Sequence, residues 1–114
     1  MAIRSSRVGD QILKEVSGML VRGEIKDPRV SAVSLTEVRM TDNLGMAEIY
    51  FTLPGGEAGK DEAVSGLERA KGFIRGRLAS KLRMRKVPDI KFVFDTALEK
   101  GYRIDEILRE ISGE

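Results

Sequence analysis

The chain contains no cysteine and no histidine. Without cysteine there is no disulfide framework, no thiol nucleophile and no thiolate metal ligand. Without histidine there is no imidazole base, no serine–histidine pair and no histidine metal site. The carboxylates are spread singly along the sequence, so no acid–base pair or metal cluster is legible, and neither catalysis nor a cofactor is expected. No apolar run is long enough to span a bilayer, so no membrane partner is expected. The opening "MAIRSSRVGDQ" lacks the apolar centre of a signal peptide. Cytoplasmic location is therefore the expectation.

The 114 residues are enough for one domain with a modest core. Hydrophobic residues make up 41% and charged residues 33%, a globular composition. Net charge is only +2, so the distribution of charge is more informative than its sum.

Val8, Ile12, Leu13, Val16, Met19 and Leu20 recur at helical spacing, which predicts a first helix. Ser5 or Ser6 is the expected N-cap, and Gly23 stands where a C-terminal cap belongs. Gly9 and Gly18 read as tolerated costs inside it. "KDPRV" ends the helix, because Pro28 disfavours helix in the residue before it. Two strands follow. Val33 and Leu35 alternate, then Val38 and Met40 alternate on the other parity, which predicts a bulge near Glu37. Ala47, Ile49, Phe51 and Leu53 alternate without error, and the short link "DNLG" predicts an antiparallel hairpin.

"PGGEAGKDEA" reads as a polar loop. Its Gly59-Lys60 resembles the end of a phosphate-binding loop, but Gly55 lies too near and Asp61 stands where Ser or Thr would hold magnesium. A third strand carries Ile90, Phe92 and Phe94 on one face, with Pro88 at its start. Ile104, Ile107, Leu108 and Ile111 predict a last helix. The order is α-β-β-α-α-β-α, an α+β domain whose helices cover one face of a three-stranded sheet.

"ERAKGFIRGRLASKLRMRKVP" is the distinctive stretch. From residue 69 to 86 it holds eight cations and no acid: Arg69, Lys71, Arg75, Arg77, Lys81, Arg83, Arg85 and Lys86. On a helical wheel Ile74, Leu78 and Leu82 form a narrow apolar stripe, widened by Phe73. Arg77, Lys81 and Arg85 run along one flank, and Lys71, Arg75, Arg83 and Lys86 toward the other. Gly72, Gly76, Ala79 and Ser80 occupy the side opposite the stripe. A solvated helix face is often basic, and cations near a helix end favour the macrodipole. Solvated faces normally mix both signs, however, and this one does not. The pattern fits a polyanion-binding surface that neutralises phosphates, with small residues letting a sugar-phosphate backbone approach. Arg4 and Arg7 extend that surface. The aromatics alternate as core residues do; Tyr50 and Tyr102 are the candidates for stacking on bases.

Taken in order, "RVGDQILKEVSGML", "IKDPRV", "VSLTEVRMTDNLGMAEIYFT", "AKGFIRGRLASKLRMRKVPDIKFVFD" and "GYRIDEIL" resemble the ribosome-binding factor A family. The resemblance covers most of the chain. It implies a K homology (KH)-like fold of the bacterial type, in which an Ala-x-Gly kink joins two helical segments. Ala70-Lys71-Gly72 matches that kink, and no Gly-x-x-Gly loop is expected in the chain. Ala70 is then expected to be buried where the segments cross, and Phe73 to anchor the second segment on the sheet. The resemblance further implies binding of the small (30S) ribosomal subunit and its 16S rRNA or precursor during late maturation. It implies a non-catalytic role that aids growth in the cold, and a monomer. Members with a disordered C-terminal tail have functions there that do not transfer. A general single-strand RNA or DNA module, or a protein adaptor with a basic helix, are the other readings the residues allow.

Overall fold

The computed structural model describes residues 2–96, with side chains from residue 7 onward. The expected last helix and Tyr102 lie outside the described residues.

Helix α1 spans Ala2–Val21. It starts ahead of Ser5 and Ser6, so neither serine is its N-cap. Its end is built as the sequence predicts. Gly23 adopts φ +70°, its amide donates to the Leu20 carbonyl, and the Glu24 amide donates to the Met19 carbonyl. Glycine takes this left-handed turn without a Cβ penalty. A short 3-10 helix, Pro28–Val30, follows, with the Asp27 carboxylate accepting from the Arg29 amide.

Strand β1, Ser34–Met40, pairs antiparallel with β2, Met46–Thr52. The register shifts between Leu35 and Glu37, so the expected bulge is present and turns Leu35, Val38 and Met40 toward one face. In the connecting turn Leu44 carries the left-handed backbone (φ 58°), a conformation costly for a leucine. The Asn43 side chain accepts from the Gly45 amide across it. Strand β3, Asp89–Phe94, lies beside β2 and parallel to it, giving the order β1-β2-β3.

The chain enters helix α2, Lys60–Lys81, through a 3-10 helix at Gly56–Gly59. These four residues are a Gly-x-x-Gly, which corrects the expectation that the chain has none; it stands before the helix and not within it. Helix α2 runs unbroken through Ala70-Lys71-Gly72. The expected kink is therefore corrected: Gly72 has no left-handed φ, and a Cβ there would meet nothing within 4 Å. Nothing packs against that turn to force a break, and glycine accepts helical dihedrals as it accepts others. The helix also ends at Lys81, so Arg83, Arg85 and Lys86, which the helical wheel included, lie beyond it.

Ile12, Val16 and Met19 of α1, Ala47, Ile49 and Phe51 of β2, Leu67, Ile74 and Leu78 of α2, and Ile90 and Phe92 of β3 form the buried core. Phe51 and Phe94 meet edge to face at 5.6 Å. Truncating such a side chain to Ala costs about 3–5 kcal/mol, so this layer fixes where α2 lies on the sheet. Two glycines permit its close approaches. A Cβ on Gly9 would lie 3.0 Å from the Val38 carbonyl oxygen, so Gly9 is a contact point of α1 on β1 and not a tolerated cost. A Cβ on Gly66 would lie 2.8 Å from a Val30 methyl, so Gly66 seats Pro28–Val30 on α2.

Candidate nucleic-acid interface

The basic run does not form one uniform surface. Acids from elsewhere reach three of its residues, which corrects the expectation of an unrelieved stretch. Lys71 Nζ lies 2.7 Å from Glu68 Oε1. Arg77 Nη1 donates to Glu24 Oε1 at 2.6 Å, and Arg22 Nε lies 2.6 Å from Glu24 Oε2. The Arg22 hydrogen bond, with the Arg77 charge adding to it, holds the Glu24 carboxyl below its ordinary range. Arg75 Nε and Nη2 donate to the Pro88 and Val87 carbonyls at 3.3 and 3.2 Å, with Asp89 3.8 Å away.

Arg75 nevertheless serves a site. Beyond α2, residues 82–88 fold back beside the helix. Between the two lies a cleft of about 560 Å³, lined by Gly45, Arg75, Gly76, Ala79, Arg85, Lys86, Val87 and Asp89. Arg85 and Lys86 are exposed and make no ion pair among the described residues. The carbonyls of residues 87 and 88 neutralise no charge, so Arg75 is held in place while staying cationic. Asp89 is the one acid in the lining, and its carboxylate is 71% exposed. The cleft is therefore an open, net positive groove.

The turn that builds it has an unusual corner. Arg83 adopts φ 52°, and the Met84 amide closes onto the Ala79 carbonyl. Glycine usually stands at this position after a helix; for an arginine the conformation costs roughly 1–2 kcal/mol. Strain of this kind collects at functional sites. Lys81, Arg83 and Arg69 are exposed and form no ion pair among the described residues. Lys81 is still helical, but Arg83, Arg85 and Lys86 lie in the turn, off the helix on which the sequence placed them.

The small-residue side appears in part: Ala79 is half-buried and lines the groove. Gly72, Gly76 and Ser80 are exposed, and a Cβ on either glycine would meet nothing within 4 Å. They form a low ridge along α2. Arg75 lies on one flank of it and Arg77 on the other, as the wheel places them. Ala70 is only half-buried, against the core, and with α2 continuous no crossing of segments stands there, which corrects its expected role. Phe73 is not the sheet anchor expected of it: the residue is 45% exposed, with the Arg77 guanidinium 5.2 Å from the ring centre. Apolar spacing alone missed it, because Phe73 sits at the edge of the stripe. Arg7 is exposed on α1, and the Arg4 side chain lies outside the described residues. Tyr50 is half-buried and lines none of the clefts described, with the Arg39 guanidinium 5.0 Å from its ring centre. Among the described residues no group of carboxylates could hold a metal ion, and no helix is long and apolar enough to cross a membrane.

A small α+β domain with two helices packed on one side of a mixed three-stranded sheet, and a basic groove beside the second helix, defines a KH-like protein. The chain belongs to the ribosome-binding factor A family, whose model matches residues 4–108. It is 45% identical to the ribosome-binding factor A of Geotalea uraniireducens (strain Rf4) over 109 residues, covering 96% of this chain and 88% of that one. Its fold resembles the crystal structure of ribosome-binding factor A from Thermus thermophilus (TM-score 0.69, 21% identity, 79% of this chain and 93% of that chain). It also resembles a Thermus thermophilus homology model fitted into the cryo-EM map of a 30S–RbfA complex (TM-score 0.56, 24% identity, 75% and 93% covered).

Proposed function

We propose that the protein is a non-catalytic assembly factor that binds the small ribosomal subunit through its rRNA. In this reading it acts as a cytoplasmic monomer on 16S rRNA or its precursor during late maturation, and matters most in the cold. The observation that carries the proposal is the groove of Arg75, Arg85 and Lys86 beside the bare helix backbone at Gly76. Phosphate neutralisation with counterion release needs exposed cations and room for a sugar-phosphate backbone, and the groove offers both. Lys81, Arg83 and Arg69 extend the positive surface, and Arg7, exposed on α1, adds to it; Arg4 is assigned to it on sequence alone. Lys71 and Arg77 contribute less, since each is matched by an internal carboxylate. Gly72 keeps a role as part of the ridge, not as a hinge. Family membership supports the ribosomal partner, as does the 30S complex of the Thermus thermophilus relative.

The test is co-sedimentation with mature and immature small subunits across a salt series. Reversing Arg85 and Lys86 to Glu should weaken binding more than tenfold. It should also reduce the slope of log affinity against log salt by roughly 1.4–1.8. Unchanged binding by the folded double variant would place the interface elsewhere. Equal affinity for free single-stranded RNA would mark a general RNA module instead.

A further inference from the structure

A second cleft lies on the other flank of the ridge, between residues 24–28 and α2, with a volume of about 610 Å³. Ile25, Pro28, Ala70 and Phe73 give it an apolar lining, and Lys26 and Arg69 belong to its rim. Phe73 and Val21 are the two exposed large apolar side chains among the described residues, and Phe73 lines this cleft. Its ring is braced, because Arg77 sits over it and is itself held by Glu24.

The charges around this cleft are asymmetric. Glu24 is matched by Arg22 and Arg77, and Asp27 by the side chain and amide of Arg29. Lys26 and Arg69 are exposed and form no ion pair among the described residues, although, after the Arg29 hydrogen bonds, the Arg69 charge adds a little to what holds the Asp27 carboxyl ionised. An apolar slot with an aromatic wall and a cationic rim fits a flat ring that carries anionic groups on either side. The ridge of Gly72, Gly76 and Ser80 separates this slot from the Arg85 groove, so a strand crossing the ridge reaches both.

We propose that this cleft receives one unstacked nucleobase of the bound RNA, stacked on Phe73, with Lys26 and Arg69 meeting the flanking phosphates. The inference rests on the RNA reading above. Single-stranded RNA is commonly recognised by stacking splayed bases on aromatic side chains, and the interaction tolerates many sequences.

The chain contains no tryptophan, so Phe73→Trp places a single indole reporter in the cleft. A short single-stranded RNA oligonucleotide should quench its emission, and an abasic strand of the same length and charge should not. In subunit co-sedimentation, Phe73→Ala and Phe73→Leu should each weaken binding roughly 5- to 150-fold. Phe73→Tyr should retain affinity, and all three should unfold near the wild-type midpoint. Equal quenching by the abasic strand would overturn the proposal. So would wild-type affinity in Phe73→Leu, which would mark an apolar protein partner. If Phe73→Ala binds normally while the Arg85 and Lys86 reversal does not, the cleft assignment falls and the RNA reading stands. Failure of the wild-type protein to bind subunits would overturn both.

Discussion

Replacing Gly72 and Gly66 by alanine, one at a time, tests the course of α2 with the same chemistry at two places in one helix. At Gly72 the new methyl group meets nothing within 4 Å, and the residue has no left-handed φ. Only the intrinsic preference remains, and alanine in a helix is favoured over glycine by about 0.5–1 kcal/mol. For a chain of this size that raises the thermal midpoint by roughly 2–5 °C. At Gly66 the same methyl lies 2.8 Å from Val30 Cγ1 and 3.2 Å from Arg29 Cβ. Val30 is buried and β-branched, so it cannot swing away, and the Pro28–Val30 turn must shift. Overpacking of this kind costs about 1–3 kcal/mol. Set against the same helix gain, the net effect runs from about zero to a loss of about 2.5 kcal/mol, or a drop of up to roughly 12 °C. Far-UV circular dichroism melts of the two variants beside the wild type supply the measurement. A lower midpoint for Gly72→Ala would refute the continuous helix and restore a break at residues 70–72. A higher midpoint for Gly66→Ala would show that the 3-10 turn does not seat on α2.

Other perturbations follow from the same contacts. Arg77→Glu sets a carboxylate against Glu24 and should lower the midpoint, whereas Lys81→Glu should leave it unchanged and act only on RNA affinity; melts and co-sedimentation separate the two. Arg83→Gly relieves a left-handed arginine and should stabilise by at most about 1 kcal/mol while weakening subunit binding, a trade of stability against function. Hydrogen bonds from the Arg29 side chain and amide hold the Asp27 carboxyl down from 3.8 to about 2. A carboxyl depressed in the folded state stabilises above its unfolded value, and that contribution disappears as pH falls through the folded one. Between about pH 4 and 2 the wild-type midpoint should therefore drop more steeply than that of Asp27→Asn. Gly9→Ala should lower the midpoint, because its methyl would press on the Val38 carbonyl 3.0 Å away.

Much of the fold was legible in the chain because its signals are local. The alternation of Ala47, Ile49 and Phe51 gave β2, and the parity slip near Glu37 gave the bulge in β1. Gly23 marked the end of α1, and Ile90, Phe92 and Pro88 marked β3 and its start. Each depends on the period of one element or on the dihedral freedom of one residue, and no distant contact alters either. The exposed ridge of Gly72, Gly76 and Ser80 was legible for the same reason.

The site was legible only in part. Sequence supplied the cations but not their partners. Arg77 meets a carboxylate 53 residues earlier in the chain, and Arg75 reaches the carbonyls of residues 87 and 88 across a turn. Whether a basic residue is free or matched depends on distances of a few ångströms between elements, which periodicity does not encode. The same holds for glycine: Gly66 must be small because Val30 lies against it, and Gly72 need not be, because nothing does. Phe73 has the composition of a core residue and the position of a surface one, since the apolar stripe is narrower than a helix turn. The sequence thus determined the strands, the bulge in β1 and the buried faces of α1 and the sheet, because those follow from local dihedrals and apolar spacing. Only the packing of α2 against the 24–30 segment and its own C-terminal turn decided which charges remain free and where clefts open, because Coulombic matching and cavity shape are properties of separated segments brought together.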